Sequence, residues 1–478
     1  MKIAFVASEA NPLAKTGGLA DVVHALAVEL TKKGDEVIIV MPYFRSMAKH
    51  KEKYGFKALT DFPVYLSWRT QKADVSTCEI HGVKYYLIGN GYYFDRDDIY
   101  GYGDDGERFA FFTLASKILL NVIDFHPDIV HVHDWQSGML PLLCKAQPDP
   151  VFAKSHYVLT IHNPAFKGQL DANALSELYN LPQTYYDSGE ARFEGGVSTL
   201  KAGIVFADKI TAVSPNNRSE LLTPSGGQGL ADVLWTREYD FTGFANGIDT
   251  DEFDPEHDEF LTKPYNAKAY KTGKKAARKA VLERFGLDDN NGPIFGFVTR
   301  LTYQKGIDLI LQSAYRILSA GGIILALGSG EAGLENALNE LQRAYPNQVG
   351  VYIGYSNEIA HLVYGGSDFF LMPSLFEPCG IGQMVAERYG TLPIARDVGG
   401  LHDTIVPFEG DNADKANGFL FRDYSREGME YGIMQALSVF DDATTMDKMI
   451  KNAMKTDNSW KASAKLYHGL YAELVARN

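Results

Sequence analysis

The chain has 478 residues, 45% of them hydrophobic, and carries 46 Lys and Arg against 60 Asp and Glu for a formal net charge of -14. At roughly 100 to 200 residues per domain this allows two or three domains, and the acidic balance argues against nucleic acid as a partner. Cys78, Cys144 and Cys379 are widely spaced and form no CxxC, so neither a disulfide framework nor a structural zinc site is supported.

The opening MKIAFVASEANP loses its apolar run at Ser8 and Glu9, too soon for a signal-peptide core. No later apolar run could span a bilayer, so a cytoplasmic protein with no membrane role is expected. KIAFVA (2–7) reads as a strand. The run GLADVVHALAVELTKKG then places Leu19, Val22, Val23, Leu26 and Leu30 on one helical stripe, with Gly34 where a C-cap belongs. EVIIVMP (36–42) is a β-branched strand that completes a βαβ unit and implies a parallel sheet. DIVHVHD (128–134), HYVLTIHN (156–163) and KITAVS (209–214) repeat the pattern, which makes this half Rossmann-like.

After the turn-rich FANGIDTDEFDPEH (244–257) and the basic KTGKKAARKAVLERFG (271–286), the alternation restarts at IFGFVT (294–299). It continues through GIILALG, VGVYIG, DFFLMPS and LPIARDV with helices between them. Two doubly wound α/β domains in series are expected, with a boundary near residues 241–260. Ligands should bind between them, beyond the carboxyl ends of the strands, so the loops that follow strands are where chemistry is sought.

Four such loops stand out. In AKTGGLADV (14–22), Gly17 and Gly18 precede a helix whose free N–H groups suit an anion, and Lys15 adds a positive charge. The loop matches neither GxGxxG nor the Walker pattern, which argues against a standard NAD or ATPase site. A structural role for the glycine pair is the competing reading.

RLTYQKG (300–306) holds the second, where the Arg300 fork and the Lys305 point charge form a complementary grip for phosphate oxygens; two solvated surface cations are the alternative. The third, SLFEPCGIGQMVAERYG (374–390), leads from a strand into a helix. Gly380 and Gly382, on either side of Ile381 in a candidate substrate-binding turn, leave backbone amides of the helix start uncovered, and Glu377 can accept sugar hydroxyls or simply complement the helix start. Cys379 is either a reactive thiol or a small packing residue, and the lack of an adjoining base or resolving cysteine favours the second.

The fourth, HVHDWQSG (131–138), pairs with TIHNPAFKG (160–168). His131 and His133 share a strand face, yet no third ligand is spaced for a metal. Asp134, His162 and Asn163 read as polar groups of a hydroxyl-rich pocket, and Trp135 as a sugar platform or a buried anchor. Together the loops call for a diphosphate held by Lys15, Arg300 and Lys305 beside a polyhydroxylated group, which is a nucleotide sugar. The two cations would then stabilise a diphosphate leaving group as its charge grows.

KTGGLADV, HVHDWQ, NGID, RLTYQKG and LMPSLFEPCGIGQMVAERYGTLPIARDVGGLHDTI resemble the motifs of the family of bacterial glycogen synthases and plant starch synthase catalytic domains, and the likeness runs from residue 2 to WKASAKLYHGLY (460–471). The resemblance implies a GT-B fold of two Rossmann-like domains facing across a cleft. Residues 1–243 would form the glucan-acceptor side, 244–456 the donor side, and 457–478 a terminal helix crossing back to the first.

It also implies retaining transfer of glucose from ADP-glucose to the non-reducing end of a glycogen or other α-1,4-glucan primer, with no cofactor. Lys15, Arg300 and Lys305 would hold the diphosphate; Asp21, Asn246 and Tyr355 the sugar nucleotide, with Tyr355 on adenine; Asp134 and His162 the glucose; and Glu377 and Cys379 the donor sugar.

The wording of TAVSPNNRSELLTP and GLADVLWTREYDFTGFANGID departs from the family's, which touches acceptor or loop detail. Many other retaining GT-B enzymes carry a second glutamate eight positions after the first; here that position is Val385, as in the glycogen and starch synthase group. A non-catalytic glucan- or nucleotide-binding module and a UDP-sugar-dependent glucosyltransferase are the rival functions. The motif loops hold no DxD-type metal signature and nominate no convincing carboxylate nucleophile. Metal-independent, same-face transfer is therefore expected, with domain closure about the 241–260 linker and the terminal segment.

Overall fold

Buried apolar runs build the sheet of the first unit of the computed structural model, which describes residues 1–477. That unit comprises Met1–Phe244 and the chain from Trp460 onward; the second is Ala245–Ser459. In the first, β1 (Lys2–Val6), β2 (Glu36–Pro42), β6 (Ile129–His133), β7 (His156–Ile161) and β11 (Lys209–Ala212) are buried along nearly their whole length, as strands covered on both faces must be.

With β3 (Lys57–Leu66), β4 (Arg69–Ile80), β5 (Val83–Gly89) and β12 (Phe241–Gly243) they make one sheet in the order β12-β11-β7-β6-β1-β2-β5-β4-β3. β12 through β5 are mutually parallel. β3 and β4 are antiparallel, an extension that the simple doubly wound expectation lacks. Their cause is visible in their burial, which alternates along Phe62–Leu66 as in a sheet with one wet face. β8 (Gln169–Leu170), β9 (Arg192–Phe193) and β10 (Gly196–Ser198) form a small separate sheet.

The helix Gly18–Lys32 buries the whole apolar stripe read from its sequence, and Gly34 follows it with a φ of 97°. The terminal helix Trp460–Val475 packs against it within the same unit and buries Trp460, Tyr467 and Tyr471 in that core.

The second unit is wholly parallel, β15-β14-β13-β16-β17-β18, from β13 (Ile294–Val298), β14 (Ile323–Gly328), β15 (Val349–Ile353), β16 (Phe369–Met372), β17 (Leu392–Arg396) and β18 (Phe419–Phe421). Strand order reverses between β13 and β16, so the loops after these two strands flank the crevice where such sheets take ligands. Below the sheet, buried Lys274 donates to the carbonyls of Gly365 and Ser367 and to the Thr391 hydroxyl, and burial lowers its pKa to about 8. No helix among the described residues is long and apolar enough to cross a membrane.

Candidate active site

At the carboxyl end of β1 the chain turns through residues 8–17 before the helix Gly18–Lys32 begins. Glu9, buried there, organises the turn. Thr16 donates its backbone N–H and its hydroxyl to the Glu9 carboxylate, the hydroxyl at 2.8 Å, and the Tyr100 hydroxyl donates at 2.6 Å. Lys15, about half exposed, pairs with Asp21 at 2.8 Å, and Asn11 also donates to that carboxylate at 3.1 Å. A methyl group added at Gly17 or Gly18 would meet nothing within 4 Å. No packing demand explains the two glycines, which weakens the purely structural reading and leaves open space over the helix start.

β6 is followed directly by Asp134, whose backbone has a φ of 53°. Its Oδ1 accepts the backbone N–H of His162 at 2.7 Å and of Asn163 at 3.3 Å, so the carboxyl holds the loop after β7. Burial raises the Asp134 pKa to about 7 against the lowering effect of these two donors, and the nearby charge of Glu9 adds to the rise. Burial lowers His162 to about 3, so it is neutral at physiological pH. The Asn163 side chain accepts the Ala165 N–H at 3.0 Å. Trp135 packs edge-on against Phe109, with ring centroids 5.1 Å apart, which makes it an anchor of the fold.

The histidine pair of β6 is buried. His131 pairs with the Tyr471 hydroxyl at 2.7 Å and with Thr160 Oγ1 at 2.6 Å. His133 Nδ1 pairs with His162 Nε2 at 3.1 Å. Burial drives both well below the usual histidine range.

In the second unit, Lys305 donates to Glu377 at 2.5 Å, and Ser374 Oγ to the same carboxylate at 3.1 Å. The loops after β13 and β16 are stitched by Leu375 N–H to Gln304 O at 2.8 Å and by Gln304 Nε2 to Phe376 O at 2.7 Å. Gly306, with a φ of 73°, permits this approach, since a Cβ there would stand 2.1 Å from the Pro373 carbonyl oxygen. Gly399 after β17 is likewise required: a Cβ would lie 1.9 Å from Glu377 O, while Gly400 N–H donates to that oxygen at 3.1 Å.

Arg300 stands exposed at the end of β13, and Tyr355, 77% exposed, at the end of β15. Gly380 and Ile381 form the turn that delivers Gly382 to the start of the helix Gly382–Arg388. Cys379 is buried, and burial raises its thiol to about 12 although the Asn246 backbone N–H donates to it. The reactive-thiol reading is therefore set aside: Cys379 packs, joining the 246 loop to the 377 turn. Asn246 is itself buried, with an Oδ1 that meets no partner among the described residues.

The structure thus gathers Lys15, Gly17, Gly18, Asp21, Asp134, His162 and Asn163 at the carboxyl end of the first sheet. Asn246, Arg300, Lys305, Tyr355, Glu377, Cys379, Gly380, Ile381 and Gly382 lie in the second unit. Sequence reasoning passed over Glu9, Tyr100, Gln304 and Ser374 as positioning groups. For Glu9 the available signal was an acid directly behind a buried strand; for Ser374, its place three residues before Glu377.

Two Rossmann-like units, each with polar loops at the carboxyl ends of parallel strands, define a GT-B glycosyltransferase. The starch synthase catalytic domain family matches residues 2–236, and glycosyl transferases group 1 matches residues 281–456. The glycogen synthase of Clostridium beijerinckii is 41% identical, over 100% of both chains. That of Lactococcus lactis is 42% identical over 99% of this chain and 100% of its own. The catalytic domain of starch synthase IV from Arabidopsis thaliana, bound to ADP and acarbose, superposes with a TM-score of 0.89 at 31% identity over 99% of each chain. The chain belongs to the glycogen and starch synthase family, and it is a glycosyltransferase of the glycogen synthase type.

Proposed function

We propose that the chain moves glucose from ADP-glucose to the non-reducing end of an α-1,4-glucan with retention of configuration and without a metal ion. The observation that carries this reading is the Lys305–Glu377 pair at the switch point of the second sheet, with Arg300 exposed beside it. The ADP and acarbose held by the Arabidopsis relative support an adenine nucleotide and an α-glucoside as the ligands.

Arg300 and Lys305, with Lys15, meet the diphosphate charge, the task a metal performs in other transferases. Tyr355 offers its exposed ring to adenine. Asp21 and Asn246 assist in holding the sugar nucleotide, and Asp134, His162, Asn163 and Glu377 bind hydroxyls of the transferred glucose. The backbone N–H groups at Gly17 and Gly18 and at Gly380, Ile381 and Gly382 receive phosphate or sugar oxygens.

The bond from the anomeric carbon to the diphosphate breaks, and its electron pair leaves with ADP. The acceptor 4-hydroxyl attacks from the same face, and its proton passes to the departing phosphate oxygen. Asp134 already accepts two backbone N–H groups and Glu377 is paired with Lys305, so neither is a free nucleophile.

The test is transfer to a glycogen primer in the presence of chelator, with NMR of the product linkage. ADP release matched by new α-linked glucose is expected. Activity abolished by chelator and restored by a divalent ion, or a glucosyl adduct trapped on an Asp or Glu, would overturn the mechanism.

A further inference from the structure

His162 is held twice. Its backbone N–H is fixed by Asp134 at 2.7 Å, and its ring Nε2 lies 3.1 Å from Nδ1 of His133, with ring centroids 5.4 Å apart. One of the two nitrogens in that contact must carry the proton and the other accept it. The contact alone does not say which.

The surroundings of His133 decide it. The ring is fully buried, 4.3 Å from the centroid of His131 on one hand and 5.6 Å from Phe5 on the other. Its Nε2 is shut from solvent and meets no hydrogen-bonding partner among the described residues. A neutral imidazole has one proton. On Nε2, it would leave a buried N–H without an acceptor, which native structures rarely tolerate; on Nδ1, only a lone pair is left without a partner. His131 cannot relieve Nε2, because its own nitrogens are engaged by Tyr471 and Thr160.

We propose that His133 is a positioning residue for the transfer reaction: its Nδ1–H donates to His162 Nε2 and forces the His162 proton onto Nδ1, making that nitrogen a fixed hydrogen-bond donor to a hydroxyl of the bound sugar. Among the described residues no group pairs with His162 Nδ1. The inference deepens the proposed function and rests on it for the identity of the hydroxyl, but the tautomer itself stands on this chain's geometry alone. The contacts continue the arrangement backwards, from His133 through the tilted ring of His131 to the Tyr471 hydroxyl of the terminal helix. A neutral histidine so held neither gives nor takes a proton during turnover; it orients the sugar.

The experiment uses the full chain with 15N-labelled histidine. Long-range proton–nitrogen correlation spectra report which ring nitrogen is protonated, and His162→Gln identifies the signal. The wild type is expected to show His162 as the Nδ1–H form. His133→Leu removes the donor, releases His162 to the Nε2–H form that predominates in free imidazole side chains, and lowers kcat about 100-fold with a smaller change in KM, the cost of a misplaced substrate contact. His133→Asn, whose amide N–H can stand in for Nδ1–H, recovers most of that loss.

An Nε2–H signal for His162 in the wild type would overturn the proposal, as would wild-type kcat in His133→Leu. Should His133→Leu fail to fold, the wild-type spectrum still decides. A wild type with the expected tautomer but no transfer from any sugar nucleotide would refute the proposed function and leave this assignment intact.

Discussion

The carboxyl ends of the two sheets solve opposite electrostatic problems. In the first unit burial lowers His131, His133 and His162 and raises Asp134 to about 7, while Lys15 and Asp21 form an ion pair nearer water. In the second a largely covered ion pair, Lys305 on buried Glu377, stands in a unit that leaves Arg300 and Tyr355 open to solvent. A neutral, preformed lining suits hydroxyls, whose hydrogen bonds need direction more than charge. A cationic rim suits a diphosphate, whose charge grows as the glycosidic bond breaks.

The largest effect should come from the charged end. Arg300→Ala and Lys305→Ala each lower kcat by about 100- to 1000-fold, as the loss of a transition-state contact does, with folding intact by circular dichroism. Lys305→Ala also leaves Glu377 unpaired, so the double variant with Glu377→Gln should lose less than the product of the two single losses.

On the neutral end, Asp134→Ala frees the backbone of His162 and Asn163 and lowers kcat by about 100-fold. Glu9→Gln weakens the hold on Thr16 and Tyr100 without touching substrate. It should raise KM for the sugar nucleotide about tenfold, the scale of one charge-assisted hydrogen bond.

Stability against pH sharpens the contrast. The folded pKa of Asp134, about 7, lies above its ordinary value of 3.8, so the stabilisation is full below about pH 4 and is lost as pH rises through 7. Asp134→Asn should therefore gain on the wild type in melting temperature between pH 4 and 7. His162 runs the other way: its folded pKa of about 3 lies below 6.5, so its contribution is full above 6.5 and is lost as pH falls towards 3. His162→Gln should gain on the wild type as pH is lowered through that window. Parallel shifts in both variants would contradict the account of a discharged lining.

The smallest effect belongs to Cys379. A packed thiol raised to about 12 is no nucleophile, so Cys379→Ala should keep activity within about threefold and cost about 1 kcal/mol in denaturant titrations.

The parallel strands were legible because burial on both faces leaves uninterrupted apolar runs such as EVIIVMP, and the helix Gly18–Lys32 because its stripe repeats at 3.6 residues. β3 and β4 were not, since an edge hairpin with one wet face carries only a weak period-2 signal among charged residues. At the candidate site, Arg300, Lys305 and Glu377 were legible from their place after strands. The contacts that hold the site were hidden by distance along the chain: Glu9 meets Tyr100 across 91 residues, and His131 meets Tyr471 across 340. Glu9 in particular reads in sequence only as the end of an apolar run. Its function as the carboxylate that folds the KTGG turn appears once Thr16 is seen to donate to it twice.

The most direct measurement is radiolabel incorporation into a glycogen primer from ADP-glucose and UDP-glucose in parallel, with Arg300→Ala and Lys305→Ala alongside. Incorporation from ADP-glucose, little from UDP-glucose, and loss in both variants are expected. Binding of glucan without transfer from either donor, or full transfer by the two variants, would contradict the proposed function.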